Sequence, residues 1–425
     1  MSAPRAWFGQ PRGLTILFLT NMWEQFSYYG MRALLVYYMT KQLLMAQGSA
    51  SIVYGTYTAC AYFTPIVGGV VADRLLGKRR AIILGGSIMA AGHFLMTFEP
   101  LFYVALATIA LGNGLFLPSL PSQIDDLYEP GDPRVGWAYN VYYVGVNIGG
   151  FLAPLICGTL GELYGWHWGF GAAGIGMVAG LAIYLWGQRY LPDQARHPPV
   201  ERQDAPRLRF PRETAVLLLA VGLSVTVFRS AYEQVGNTVA LWADAGVDRR
   251  AGGGTIPMTW FQALNPLLVM VMTPPLLAMW RRRAARGRIE RPARKMAAGA
   301  MTVAGAYLLL AGLEWMGGPT HWAWLALFFA VLTLGELYIL PTGLGLFARL
   351  APQGLGATTV AVWYLATFAG SLSAGLVGTL WSRTSHAGFF LLLAGIAALA
   401  GLLLRLVDPM EQRLEPSSSD PQVRG

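Results

Sequence analysis

The sequence predicts an all-α membrane protein with twelve transmembrane helices in two bundles of six. Three observations predict this fold class. The 425 residues are 55% hydrophobic and only 12% charged, with a mean hydropathy of +0.45, which is too apolar for a soluble protein of this length. Apolar runs long enough to cross a bilayer recur along the whole chain. Basic residues are concentrated in alternate loops, as expected for loops that share one side of a membrane.

Each predicted span is an apolar run of about 18 to 30 residues between helix-breaking or charged residues. The twelve spans cover residues 14–43, 50–73, 80–98, 101–122, 135–163, 167–190, 213–243, 256–281, 295–316, 321–349, 355–381 and 386–408.

The spans divide into an N-terminal six-helix bundle, residues 1–190, and a C-terminal six-helix bundle, residues 213–408. Residues 191–212 contain five prolines among charges, so we expect a cytoplasmic linker there. Residues 409–425 read as a disordered tail.

The loop charges set the orientation. On the side opposite to the termini, the loops carry only the basic residues Lys41, Arg249, Arg250 and Arg383. Because basic residues concentrate on the cytoplasmic side, we expect a multi-pass protein of the cell inner membrane with both termini in the cytoplasm. This topology also accounts for the net charge of +9, so we expect no nucleic-acid partner.

Composition argues against an enzyme. The two cysteines, Cys60 and Cys157, lie inside apolar spans, which leaves neither a disulfide framework nor a zinc cluster. The spans contain no H-E-x-x-H or G-x-S-x-G motif and no paired catalytic aspartates. We therefore expect no cofactor, no metal and no catalytic residues, and a monomer whose partners are a small substrate, protons and the lipid bilayer.

The first span carries a polar stripe. Asn21, Glu24, Gln25, Tyr28 and Arg32 fall within about a third of the circumference of a helix. A carboxylate or guanidinium in hydrocarbon costs at least ~2.5 to 3.5 kcal/mol, so such residues line a pathway or hold a partner. A structural ion pair between helices is the alternative.

Several segments resemble one family. Residues 21–32 resemble the first-helix motif E-x-x-E-R-F-x-Y-Y-G of the proton-dependent oligopeptide transporters, which are members of the major facilitator superfamily. Residues 68–79 and 139–151 resemble two further signatures of this family. Shorter runs at 232–234, 261–266 and 335–337 also match it in order. The resemblance implies the major facilitator fold and alternating-access import of di- and tripeptides with protons.

The chain departs from the family pattern at three charged positions. Asn21 replaces the first motif glutamate, Gln25 the motif arginine, and Leu117 the lysine of the fourth helix. Removing one buried charge strands its partner, whereas removing a set can be nearly neutral for stability. The concerted loss indicates a rebuilt site.

The seventh helix offers a replacement cation. Arg229 stands where family members usually have a tryptophan, one turn before Glu233 on the same face. We hypothesise that Arg229 and Arg32 restore positive charge to the cavity, and that Arg229 pairs with Glu233 when no substrate carboxylate is present. Alternatively, Arg229 extends towards the membrane interface and has no role in the cavity.

A zwitterionic peptide needs opposite charges at its two ends. The resemblance implies that Glu336 meets the peptide ammonium, with amide oxygens of Asn147 and Asn265 completing its hydrogen bonds. Arg32 would meet the carboxylate from the other bundle. We expect four aromatic residues to line pockets for the rest of the substrate: Tyr28, Tyr29, Tyr62 and Trp363.

Proton coupling needs a carboxylate whose protonation is linked to conformation. We rank Glu233 first, because protonation would release Arg229, and Glu24 second. Glu24 lacks its usual cationic partners, so we expect it to be protonated at rest. His93 is interpreted as a histidine satisfied by a backbone carbonyl, and Glu162 as an exposed residue at a helix end.

Two alternatives remain open. Loss of the charged cluster also fits a peptide facilitator or sensor that does not use protons. Arg229 could instead be the contact for a small anion such as nitrate. We favour a peptide because Glu336, Asn147 and Asn265 suit an ammonium group, which an anion lacks.

Overall fold

The computed structural model describes residues 5–6, 9–129, 132–192, 211–288, 290–352 and 355–414, without the side chains of residues 5, 6 and 357. Twelve long helices make up most of this part of the chain. They are α1 (Arg12–Tyr37), α2 (Gln47–Leu76), α3 (Lys78–Leu95), α4 (Glu99–Asp125), α5 (Val135–Tyr164), α6 (Trp166–Tyr190), α7 (Arg212–Gly246), α8 (Met258–Ala285), α9 (Pro292–Met316), α10 (Trp322–Arg349), α11 (Gly356–Gly378) and α12 (His386–Leu414). The all-helical membrane fold is thus confirmed.

Ten of these helices are long and apolar enough to cross a membrane. The other two are α1, which carries the polar stripe, and α3, which begins with Lys78, Arg79 and Arg80. Their polar residues lower the local hydropathy although both helices lie among the spans.

The strands in the described part of the chain are two residues long and lie outside the long helices. Strands β1 (Arg5–Ala6) and β2 (Gln10–Pro11) pair antiparallel before α1, and β4 (Arg250–Ala251) pairs in the same way with β5 (Gly254–Thr255). Strand β3 (Val247–Asp248) pairs in parallel with β6 (Thr320–His321). The last pair joins the loops that precede α8 and α10.

The final helix extends beyond the predicted boundary of the tail. Residues 409–414 are helical because the end of α12 is held against α9. Glu411 accepts a hydrogen bond from the Ala293 backbone amide at 2.9 Å. Asp408 pairs with Arg291 at 3.1 Å and Arg294 at 2.9 Å. Residues 415–425 and most of the predicted linker lie outside the described residues.

Each half of the chain builds an apolar core, and the C-terminal core also includes Val36 and Tyr37 of α1. In the N-terminal half, one cluster surrounds Phe116 and Tyr184, and a second surrounds Phe102 and Phe170. In the C-terminal half, a single larger cluster joins α7, α9, α10 and α12 around buried aromatic rings such as Phe328.

The two halves meet closely at one end of the molecule, opposite to the start of α1. Glycine allows a close approach between α2 and α11: a Cβ atom on Gly55 would lie 2.5 Å from the Cα atom of Gly375. Ser51 Oγ donates to Asn237 Oδ1 at 3.0 Å, and Gln47 Nε2 donates to the Gly378 carbonyl at 2.9 Å. These contacts hold α2 against α7 and α11.

Candidate functional site

Helix α7 is interrupted in the middle of its span. An α-helical segment ends at Tyr232, a 3₁₀ turn covers Glu233–Gly236, and the α-helix resumes at Thr238. The side chain of Gln234 stabilises this interruption with two hydrogen bonds. Its oxygen accepts from Thr238 Oγ1 at 2.9 Å, and its nitrogen donates to the Ala374 carbonyl at 2.8 Å. Interrupted helices in membrane transporters occur where backbone is buried in protein or lines a cavity.

Glu233 starts this turn and binds two cations. One carboxylate oxygen accepts a hydrogen bond from Arg32 of α1, and the other accepts one from Arg229 of α7. The side chains of Glu233, Arg229 and Arg32 are 1%, 4% and 15% exposed. The pair with Arg229 follows from their one-turn spacing, as the sequence predicts. The pair with Arg32 crosses between bundles, although the sequence assigned Arg32 to the substrate.

Tyrosines surround the two guanidinium groups. Arg32 Nε donates to the Tyr54 hydroxyl at 2.9 Å. The guanidinium carbon of Arg229 lies 4.9 Å from the ring centre of Tyr62 and 5.4 Å from that of Tyr232. Both distances are in the range of cation–π attraction. Arg229 is therefore buried at the boundary between the bundles and does not extend to the membrane interface.

Glu336 forms a negative pole on α10. It accepts a hydrogen bond from Asn265 Nδ2 of α8 at 2.5 Å. Asn265 Nδ2 also donates to Thr333 Oγ1 at 3.1 Å. The ring of Tyr232 lies against Arg229, and both residues interact electrostatically with Glu336, so one polar network includes the cationic cluster and the negative pole.

The remaining predicted residues occupy different settings. Asn147 is buried, and its Nδ2 donates to the Tyr143 carbonyl of the same helix at 2.9 Å. Tyr28 and Tyr29 are partly exposed and meet edge to face, with ring centres 5.3 Å apart. Tyr28 also stacks on Tyr57 at 6.5 Å.

The prediction that Trp363 lines a substrate pocket is wrong for this conformation. Trp363 is 6% exposed and belongs to the C-terminal core, where its ring packs against Phe347 with centres 5.4 Å apart. Gly343 provides the space, because a Cβ atom there would lie 2.3 Å from the indole. In this conformation the ring fills the core, and it does not line a substrate pocket.

Glu24 is separate from the cationic cluster. It is 1% exposed and accepts a hydrogen bond from Gln25 Nε2 at 2.7 Å. It forms no ion pair with any described residue, in line with the absence of the charges that Gln25 and Leu117 replace. His93 was interpreted wrongly: it is fully buried, but neither ring nitrogen has a hydrogen-bond partner among the described residues.

Glu162 was also interpreted wrongly as exposed. Its side chain, on α5, is 18% exposed and accepts hydrogen bonds from the backbone amides of Met258 and Thr259 at 2.9 and 2.8 Å. The Thr259 hydroxyl adds a third at 2.7 Å. Glu162 therefore caps the start of α8 in the other bundle.

Sequence reasoning missed Tyr54, whose hydroxyl accepts a hydrogen bond from Arg32, and Tyr232, whose ring packs against Arg229. A tyrosine in an apolar helix carries no signal of its partner. The helical face of Tyr232, three residues after Arg229, was the only available indication.

A separate cavity of about 270 Å³ lies between α2 and α4. Its lining is apolar apart from Thr56, Tyr57 and Cys60, and includes no charged residue. It does not suit a zwitterionic ligand. Among the described residues, no group of three or more histidine, cysteine, aspartate or glutamate side chains could hold a metal ion.

Comparisons with known proteins agree with the fold and the motifs. The model of the POT family matches residues 79–210 and 211–392. The chain is 30% identical to a di-/tripeptide transporter of Lactococcus lactis subsp. cremoris, over 95% of this chain and 96% of that one. It is 29% identical to the dipeptide and tripeptide permease A of Edwardsiella piscicida, over 88% and 86%.

A solved structure shows the same architecture. The crystal structure of the peptide transporter POT in complex with sulfate matches with a TM-score of 0.88 and 28% identity, covering 97% of each chain. The resemblance that the motifs indicate is thereby confirmed. The chain belongs to the POT family and is a multi-pass membrane transporter with the major facilitator fold, not an enzyme.

Proposed function

We propose that this chain imports di- and tripeptides across the inner membrane by alternating access, coupled to protons through a modified site. The observation that carries the proposal is the polar network between the bundles, with two arginines at one end and Glu336 with Asn265 at the other. Opposite charges separated in this way match the two ends of a short peptide. The di-/tripeptide transporters at about 30% identity support the same substrate class.

In this proposal Arg32 and Arg229 bind the peptide carboxylate, and Glu336 binds the ammonium with help from Asn265. Tyr28, Tyr29, Tyr62 and Asn147 shape the space between them. Glu233 is the coupling carboxylate. Protonation removes its charge and so frees both guanidinium groups for the substrate.

A proton-independent facilitator is the second candidate. Glu24 favours it, because this carboxylate is buried with only Gln25 as a side-chain partner and lacks the cations of the family pattern. A transporter of small anions is the third candidate, since the cationic cluster would also attract an anion.

Uptake of labelled Ala-Ala into proteoliposomes distinguishes these candidates. We expect an inward proton gradient to drive accumulation above equilibrium and a protonophore to abolish it. A facilitator would equilibrate the peptide regardless of the gradient. An anion transporter would not take up the peptide.

Replacing Glu233 by Gln tests the coupling residue in the same assay. We expect the Glu233→Gln variant to retain peptide exchange and lose gradient-driven accumulation. The matched control is Glu213→Gln, at the exposed start of the same helix, which should behave as the unmodified protein. Normal accumulation by Glu233→Gln would exclude Glu233 as the coupling site.

A further inference from the structure

The cationic cluster has more positive than negative charge. Arg32 and Arg229 share the single carboxylate of Glu233, so the three side chains carry a net charge of +1 when Glu233 is ionised. Guanidinium groups stay protonated at any physiological pH. An uncompensated charge in a membrane interior is costly, and Glu336 balances this charge only while Glu233 is ionised. A proton on Glu233 leaves the four side chains with a net charge of +1.

Arg229 has unused hydrogen-bonding capacity. Its Nε atom is buried and has no hydrogen-bond partner among the described residues, and Ser371 Oγ is only a distant neighbour of Nη2 at 3.5 Å. Arg32 is still 15% exposed after binding Glu233 and Tyr54. Two separate guanidinium groups thus have capacity for groups other than Glu233.

We propose that this cluster makes the transporter prefer peptides that carry an acidic side chain in addition to their terminal carboxylate. The preference rests on the function proposed above and deepens it. With a proton on Glu233, the two arginines carry +2 and Glu336 carries −1. An acidic dipeptide, with a net charge of −1, makes the loaded site neutral, whereas a neutral dipeptide leaves one positive charge unbalanced.

Arg229 lies between the two bundles, where the substrate is proposed to bind. Tyr62 belongs to the N-terminal bundle and Tyr232 to the C-terminal bundle, and the guanidinium lies within cation–π distance of both rings. Tyr232 also interacts electrostatically with Glu336, the proposed site of the peptide ammonium. An acidic side chain next to the terminal carboxylate would therefore reach Arg229 while the amine stays at Glu336.

The test is proteoliposome uptake of Ala-Asp, Ala-Ala and Ala-Lys, each compared by its kcat/KM. We expect Ala-Asp to exceed Ala-Ala by about tenfold, with Ala-Lys lowest. Arg229→Trp, which introduces the residue usual in the family, should remove the advantage of Ala-Asp. Arg229→Gln should do the same if the tryptophan variant does not fold.

The control is Arg250→Ala, because Arg250 is 82% exposed and lies in the loop between α7 and α8. It should keep the order of the three peptides. Equal kcat/KM for all three peptides in the unmodified protein would overturn the preference and leave peptide transport intact. An advantage for Ala-Asp that survives in both Arg229 variants would also overturn it. Failure to take up any peptide would reject the proposed function and the preference together.

Discussion

Glu336 is a carboxylate within an apolar span, and Asn265, which donates a hydrogen bond to it, is a neutral donor. Donors of this kind orient a carboxylate without cancelling its charge, so an ammonium group can still be attracted. We expect Glu336→Gln to raise the KM for Ala-Ala by about tenfold or more, because hydrogen bonds to charged groups contribute roughly 1.5–3 kcal/mol. Concentration-dependent uptake measures this change.

An N-acetylated dipeptide separates charge recognition from general damage at Glu336. The unmodified protein should discriminate strongly against this substrate, which lacks the ammonium, and Glu336→Gln should discriminate much less. Glu290→Gln, at an exposed pair with Arg283, is the control and should change neither value. If Glu336→Gln still discriminates as strongly against the N-acetylated dipeptide, the peptide ammonium does not bind at Glu336.

The sequence could predict residue contacts only where spacing along one helix fixes them. Arg229 and Glu233 are one turn apart, so their ion pair follows from helical geometry. The approach of Arg32 to the same carboxylate depends on how α1 and α7 face each other, which no local pattern encodes. The prediction for Trp363 is wrong for the same reason. An aromatic residue in a span can face the core or the cavity, and Gly343 opposite Trp363 leaves the space that lets the indole face the core.

At the scale of elements, the start of α8 depends on a residue of the other bundle. The first backbone amides of a helix need acceptors, and a negative charge there is favourable. Glu162 of α5 supplies both to Met258 and Thr259, and Arg249 lies 4.0 Å from it. Trp260 Nε1 donates to Thr159 Oγ1 at 2.8 Å along the same seam. The contact between α5 and α8 therefore stabilises closure of this end.

We expect Glu162→Ala to favour opening of this end. Loss of charge-assisted hydrogen bonds costs about 1.5–3 kcal/mol, and only the closed arrangement contains them. A single cysteine at Ser51, which is fully buried in the seam, should react faster with a membrane-impermeant maleimide in the Glu162→Ala background. Cys60 and Cys157 are first replaced by alanine.

The control for this prediction is Glu314→Ala. Glu314 lies at the same end of the molecule, but its bond to Trp242 stays within the C-terminal bundle. It should leave the labelling rate at position 51 unchanged. Equally faster labelling in both variants would mean that each substitution destabilises the whole structure. An unchanged labelling rate in Glu162→Ala would mean that Glu162 does not stabilise the closed end.

Most helices could be predicted because a membrane span leaves a long apolar run. The interruption of α7 could not, since residues 213–243 read as one apolar run and the 3₁₀ turn at Glu233–Gly236 is stabilised by side chains such as Gln234. The end of α12 was missed because Glu411 and Asp408 bind α9, so polar residues continue the helix where their composition suggested a tail.

At the scale of the whole molecule, the inter-bundle contacts described above lie towards the end opposite to the start of α1. Lys41 extends them with an ion pair to Asp244 at 2.5 Å. Towards the other end, the first half of α5 exposes Trp137 and Tyr143. This arrangement fits a transporter whose two bundles meet most closely at the face opposite to the start of α1.

Alternating access requires the closed seam to separate in every cycle, and a disulfide across it tests that requirement. A Cβ atom on Gly48 of α2 would lie 3.7 Å from the Cβ atom of Thr379, just after α11, which is within the range for a disulfide. In a background without Cys60 and Cys157, we expect oxidation of Gly48→Cys with Thr379→Cys to abolish peptide uptake and reductant to restore it. Each single variant should be insensitive to oxidant. Normal uptake by protein shown to be fully cross-linked would mean that the bundles do not separate at this seam during transport.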